Sequence, residues 1–112
     1  MKLDNNLKNK KCVPCEGGVK PLKHDEYRAY LRNELKDWID IEEKRIVKEY
    51  KFKNFQEALG FVNKVGVLAE SEGHHPDIYL HSWNKVKLTL STHAIGGLSE
   101  NDFIMASKID LE

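Results

Sequence analysis

Between Asn54 and Gly73 the residues Phe55, Ala58, Leu59, Val62, Val65 and Ala69 recur at three- and four-residue intervals, which places them in one apolar stripe along an α-helix. Asn54 followed by Glu57 has capping-box logic, with Asn in the Ser/Thr role, and Gly73 is well placed to end the helix. A stripe of this kind must be covered, and the segments on either side change from period 3.6 to period two. In Arg45 to Phe52, Ile46, Tyr50 and Phe52 fall on one side while Arg45, Glu49 and Lys51 fall on the other. That pattern predicts a half-buried strand, paired with the short Trp38-to-Ile41 segment through a Glu42-Glu43-Lys44 turn. Beyond the helix two further strands are expected, around Ile78 to Trp83 and Val86 to Thr92, joined by a tight turn at Asn84-Lys85.

Two more helices complete the reading. Tyr27, Tyr30, Leu31, Leu35 and Trp38 fall at helical spacing after Asp25, a candidate cap, and predict a helix of about three turns. Ser99 with Asp102 opens a last helix through Phe103, Ala106 and Ile109. The order is helix, two strands, helix, two strands, helix. It predicts an α+β, two-layer domain: a four-stranded antiparallel sheet with helices packed on one face. Residues 1–20 read as an irregular arm broken by Asn5-Asn6, Pro14 and Gly17-Gly18, and residues 21–112 as the single domain.

The 112 residues leave no room for a second core. A domain this small gains from oligomerisation, so apolar residues on the outer side of the Trp38–Phe52 hairpin and of the long helix are expected to bury against another copy. Eighteen basic residues balance eighteen acidic ones, which argues against a nucleic-acid partner. No apolar run approaches the roughly 20 residues that span a bilayer. The polar stretch from Met1 to Lys11 lacks the apolar core of a signal peptide, so a cytoplasmic location is expected. With only Cys12 and Cys15 present, a disulfide framework is not the organising principle.

The chemistry concentrates between Glu70 and Asp102. Glu70 lies in the last turn of the long helix, and His74 and His75 follow its terminating glycine. Pro76 pushes His75 toward an extended conformation, so two imidazoles are held on a short stiff corner between helix and strand. His93 lies at the far end of the last strand, where hairpin pairing returns it toward that corner. Trp83 and Asp102 are candidates for the same cleft, with Asp102 in the first turn of the last helix, where a carboxylate suits the helix dipole.

This spacing resembles that of the pterin-4a-carbinolamine dehydratases. The family carries an acidic residue, three positions, His-His-Pro or His-Asn-Pro, an aromatic, nine positions, His, and a later Asp. Here the pattern reads Glu70, His74-His75-Pro76, Trp83, nine intervening residues, His93 and Asp102. It extends through Thr92-His93-Ala94-Ile95-Gly96-Gly97-Leu98-Ser99-Glu100-Asn101-Asp102-Phe103, and the similarity runs from Cys12 to Asp110. One departure is visible: six residues, rather than five, separate Pro76 from Trp83.

The resemblance implies dehydration of 4a-hydroxytetrahydropterin to the quinonoid dihydropterin, which recycles tetrahydrobiopterin for aromatic amino-acid hydroxylases. Water leaves C4a as a proton leaves N5, so one group donates and another accepts. Histidine, with an unperturbed pKa of about 6.5, serves in either role near neutral pH, and no cofactor is needed. His74 is expected to be the main acid–base group and His93 its partner, with His75 shaping the pocket or assisting. Glu70 would orient an imidazole, and Pro76, Trp83 and Asp102 complete the substrate-binding or orienting set. The family also implies a homodimer or homotetramer built as a dimer of dimers.

Other function classes compete with this one. Adjacent histidines rarely chelate one ion, no His-x-His or His-x-x-x-His pair occurs, and Cys12-x-x-Cys15 offers two of the four ligands of a structural zinc site. No metal is therefore expected. The cysteine pair lacks the surrounding pattern of a thioredoxin-like motif. The second function class is a non-enzymatic binding module: members of the family serve as dimerisation cofactors of a homeodomain transcription factor, and relatives assist assembly of a photosynthetic carboxylase. Those degenerate relatives lose active-site histidines, whereas this chain keeps all three. His24 and His81 carry no motif support.

Overall fold

The computed structural model describes residues 7–10 and 20–112. Helix α1 spans His24–Asn33, β1 Ile39–Ile41, β2 Arg45–Lys51, α2 Phe55–Glu72, β3 Asp77–His81, β4 Lys85–Leu90 and α3 Glu100–Ile109. The strands form one antiparallel sheet in the order β1-β2-β4-β3. β1–β2 and β3–β4 are hairpins, and the two hairpins join along β2 and β4. The fold is therefore the expected α+β arrangement, with three helices against a four-stranded antiparallel sheet.

Period two decides which face is covered. Ile46, Val86, Leu88 and Leu90 are buried, and the register pairs Ile46 with Leu90 and Ile78 with Leu88 on that side. α3 lies at the centre of the helical layer, buried continuously from Asn101 to Ala106. Phe103 stacks on Tyr27 and Tyr30, with ring centroids 5.0 and 5.4 Å away, which ties α1 to α3. At the other end of α3 the Asp110 carboxylate accepts from Trp38 Nε1 at 3.1 Å, Lys48 Nζ at 2.8 Å and the Tyr50 hydroxyl. Burial, and then the neighbouring carboxylate, push the Tyr50 hydroxyl well above its ordinary range, so it remains a proton donor.

α2 starts and stops as its sequence predicts. Asn54 Oδ1 accepts the Glu57 N–H at 2.8 Å, and Gly73 closes the helix at φ +67°. Its buried line differs from the expected stripe. Ala58, Phe61, Val65 and Ala69 face the core, whereas Phe55 and Leu59 are exposed. Phe61 wins the inner position because its ring meets Tyr50 of β2 and Phe52 just beyond it, at 4.7 and 5.0 Å between centroids.

Other boundaries also move. α1 ends at Asn33, and Leu35 and Trp38 are buried in the turn that follows. Lys23, rather than Asp25, is its N-cap, where the Lys23 N–H donates to Glu26 Oε1 at 3.0 Å. The second hairpin turns at Ser82 and Trp83, both at positive φ, rather than at Asn84-Lys85. Asn84 is buried instead, its Nδ2 donating to the Phe52 carbonyl at 3.0 Å while its own carbonyl accepts the Phe52 N–H at 2.8 Å. It clamps the two hairpins together and is not free to form the tip. Cys12 and Cys15, with the readings attached to them, lie outside the described residues.

The N-terminal segment is not wholly an arm. Residues Leu7–Asn9 form a 3-10 turn, Leu7 is 0 % exposed within the core, and Lys10 pairs with Glu100 of α3 at 3.2 Å. Leu7→Ala is therefore expected to cost about 2–5 kcal/mol, the range for emptying a fully buried leucine site. Urea unfolding checks this, and an unchanged midpoint would detach the segment from the core.

Candidate active site

The left-handed turn at Gly73 sets the geometry. Its N–H and that of His74 both reach the Ala69 carbonyl, at 2.9 and 3.3 Å, which ends α2 and redirects the chain toward β3. Extended backbone ahead of Pro76 then alternates the two imidazoles. His74 turns inward, its side chain 11 % exposed, and His75 turns outward, 59 % exposed.

His74 Nε2 lies 2.6 Å from Asp102 Oδ1. Asp102 occupies the third position of α3 and is completely buried. Its other oxygen accepts the Ser99 N–H at 3.0 Å and the Thr92 hydroxyl at 2.8 Å. A carboxylate removed from water is tolerated when charge-assisted hydrogen bonds of this kind surround it, and the N-terminus of α3 adds its dipole. An ionised carboxylate only accepts, so it holds the His74 proton on Nε2 and leaves Nδ1 as the nitrogen available for proton transfer.

His75 makes a separate pair, Nε2 to Glu70 Oε1 at 2.6 Å across the end of α2. This pair is exposed at one end of a groove of about 650 Å³, bounded by Val62, Gly66 and Val67 of α2 and by Pro76 and Ile78. His93 begins a short 3-10 turn, His93–Ile95, closed by the bridge between Thr92 and Gly97. Gly97 has to be a glycine here, since a Cβ would lie 2.7 Å from that of Pro21. The His93 loop borders a hollow of about 210 Å³ with Lys44 and Arg45 on its rim.

The strand register puts His93 at the same end of the sheet as His74-His75-Pro76, because Thr89 pairs with Asp77. It also keeps Trp83 away. Trp83 occupies the β3–β4 loop, 62 % exposed at φ +58°, and the five residues of β3 separate it from the histidines by roughly 16 Å at ~3.3 Å per residue. Within one chain it does not join the cluster. The hairpin turn itself puts it there, since β3 ends at His81 and β4 begins at Lys85.

Thr92, Lys44 and Arg45 were not anticipated. Thr92 had a signal, since strand parity puts it on the inward face with Leu88 and Leu90, where a hydroxyl needs a partner. Lys44 and Arg45 had none, because only the β2–β4 pairing brings them to the His93 loop. His24 binds Asp40 at 3.0 Å, and His81 binds Glu49 at 3.1 Å and stacks on Tyr79. Neither belongs to the cluster. Among the described residues no three His, Cys, Asp or Glu side chains are grouped to hold a metal ion.

The family model described as Pterin 4 alpha carbinolamine dehydratase matches residues 20–111. A protein of Alkaliphilus metalliredigens provisionally named pterin-4-alpha-carbinolamine dehydratase is 53 % identical over 106 residues, 95 % of each chain. One of the same provisional name from Rubrobacter xylanophilus is 46 % identical, covering 95 % of this chain and 97 % of its own. Among solved structures, a transcriptional coactivator/pterin dehydratase from Brucella melitensis superposes with a TM-score of 0.74 at 32 % identity, over 82 % of this chain and 97 % of that one. A pterin dehydratase-like RuBisCO assembly factor of the alpha-carboxysome shares the fold, with a TM-score of 0.58 at 21 % identity over 67 % of this chain and 87 % of its own. Fold, histidine corner and full-length similarity converge, and the chain belongs to the pterin-4-alpha-carbinolamine dehydratase family.

Proposed function

We propose that this chain dehydrates a 4a-hydroxytetrahydropterin to the quinonoid dihydropterin, as a step in tetrahydrobiopterin recycling, by histidine acid–base catalysis. The observation that carries this reading is the His74–Asp102 pair, a buried carboxylate holding an imidazole, with the exposed His75 next to it and the His93 loop at the same end of the sheet. The C4a–O bond breaks as the leaving hydroxyl takes a proton from one imidazole. A second imidazole takes the N5 proton, the N5=C4a double bond forms, and water departs with no net change in protons on the protein. His74 acts through Nδ1, His93 is its partner, and the Glu70–His75 pair with Pro76 shapes the pocket. The exposed Trp83 would meet substrate only if a neighbouring copy carried it there.

The same reading includes self-association in the cytoplasm. No helix among the described residues is long and apolar enough to cross a membrane. Leu59 and Val67 of α2 and Ile78 of β3 present apolar side chains to solvent, and a second copy, or another protein partner, would cover them. The Brucella structure, named for both coactivation and dehydration, supports keeping a binding role beside the enzymatic one.

Three outcomes are expected. Light scattering at micromolar protein should give a dimer or tetramer; a clean monomer of 13.0 kDa would remove the association. Dehydration of synthetic 4a-hydroxytetrahydropterin should survive exhaustive chelation, and loss with EDTA followed by rescue with zinc would replace the acid–base scheme. After subtraction of the uncatalysed rate, His74→Ala and His93→Ala should each lower kcat by about 10²–10⁴-fold. Their double variant should fall well short of the product of the single effects. Near-normal kcat in both single variants would sink the assignment.

A further inference from the structure

Thr92 links the turn that begins at His93 to the carboxylate that holds His74. Its backbone N–H reaches the Gly97 carbonyl at 2.7 Å and its carbonyl accepts the Ile95 N–H at 3.2 Å, which closes the turn that begins at His93. Its side chain points the other way, into the core. The hydroxyl donates to Asp102 Oδ2 at 2.8 Å, and Ser99 Oγ lies 2.8 Å from the same Thr92 oxygen. A hydroxyl has one proton. With that proton given to the carboxylate, Thr92 accepts from Ser99, and donors converge on Asp102 from both sides: Ser99 hydroxyl to Thr92 hydroxyl to Oδ2, and His74 Nε2–H to Oδ1.

The chain fixes more than the presence of Asp102. A carboxylate held by one backbone N–H can still rotate about its terminal torsion, which is broad and soft. A second donor on the same oxygen removes that freedom and aims the opposite oxygen at His74. Thr92 is only 4 % exposed, so water does not readily take the place of the hydroxyl.

We propose that Thr92 is a positioning residue for the acid–base pair: its hydroxyl fixes the Asp102 carboxylate and thereby the ring of His74, while its backbone fixes the turn that carries His93. The kinetic part of this inference rests on the dehydratase reading above; the structural part does not.

Substitutions isolate the hydroxyl, because the backbone hydrogen bonds survive any side-chain change. Thr92→Val keeps the branched shape and removes the donor, and is expected to lower kcat about 10²-fold, the scale of a small misplacement of a reacting group, with KM little changed. Thr92→Ser keeps the donor and should stay close to the wild-type rate. In a His74→Ala background, Thr92→Val should add almost nothing. Should the valine variant not fold, Thr92→Ala carries the same expectation. Unimpaired kcat in Thr92→Val, an equal loss in Thr92→Ser, or an undiminished loss without His74 would each overturn the proposal. A second readout needs no turnover: the Nε2-bound proton of His74 should give a slowly exchanging imidazole resonance in the wild type and Thr92→Ser that broadens away in Thr92→Val. If the wild type failed to dehydrate the carbinolamine, the function would fall, and this resonance alone would decide the placement of Thr92; its persistence in Thr92→Val would refute it.

Discussion

A carboxylate at zero exposure must be surrounded by donors, and the helical end of this domain is organised around meeting that demand for Asp102. The donors come from three separate places in the chain: the Ser99 N–H at the start of α3, the Thr92 hydroxyl at the exit of β4, and His74 at the corner after α2. Each charge-assisted bond contributes about 1.5–3 kcal/mol net, and loss of a partner leaves a buried charge short of donors, which costs at least as much. The group that caps α3 is therefore also the group that orients His74. Core and site share one helix turn, since Asp102 precedes Phe103, which carries the aromatic stack with Tyr27 and Tyr30.

The two hairpins supply the platform. Their central strands pair from Ile46–Leu90 to Lys51–Lys85, and Asn84 and Phe52 lock the far end. This register puts His93 at the same end of the sheet as the histidine corner and leaves Trp83 at the opposite end. Both hairpin loops place two residues at positive φ, Glu42-Glu43 and Ser82-Trp83, at a cost of about 1–2 kcal/mol for each residue that bears a side chain. That cost is sustained because β2–β4 pairing and Asn84 over-determine the register.

The sequence made legible whatever depends on local chemistry. The caps of α2, the left-handed Gly73, the alternation of β2 and β4, and the His-His-Pro corner all follow from neighbours within a few residues. Glu70 and Asp102, which the two imidazoles of that corner meet, are both among the acids the sequence offers there. What stayed hidden depends on distant partners. Asn84 looks like a turn residue until Phe52 is found across the sheet. Phe61 outranks Phe55 on α2 only because Tyr50 and Phe52 lie beneath it. Leu7 has no periodic context, so its burial against α3 has no sequence signature. Which acid serves which histidine was equally closed: the Glu70–His75 and Asp102–His74 pairing is set by the turn at Gly73, which sends one ring inward and the next outward.

That inward–outward alternation also separates the two kinds of surface the molecule offers. The groove along α2 ends at Glu70 and His75, both largely exposed, whereas His74 and Asp102 do not line it. A protein seated against Val67 and Ile78 would therefore meet the outer histidine pair and leave the buried one untouched. The inner pair is held by the core, with Thr92, Ser99 and α3 behind it. The outer pair is anchored only by the end of α2, and the side chains around it vary at little cost to stability. Within this fold, a binding surface can change while the buried imidazole–carboxylate pair stays fixed, because the core constrains one and solvent surrounds the other.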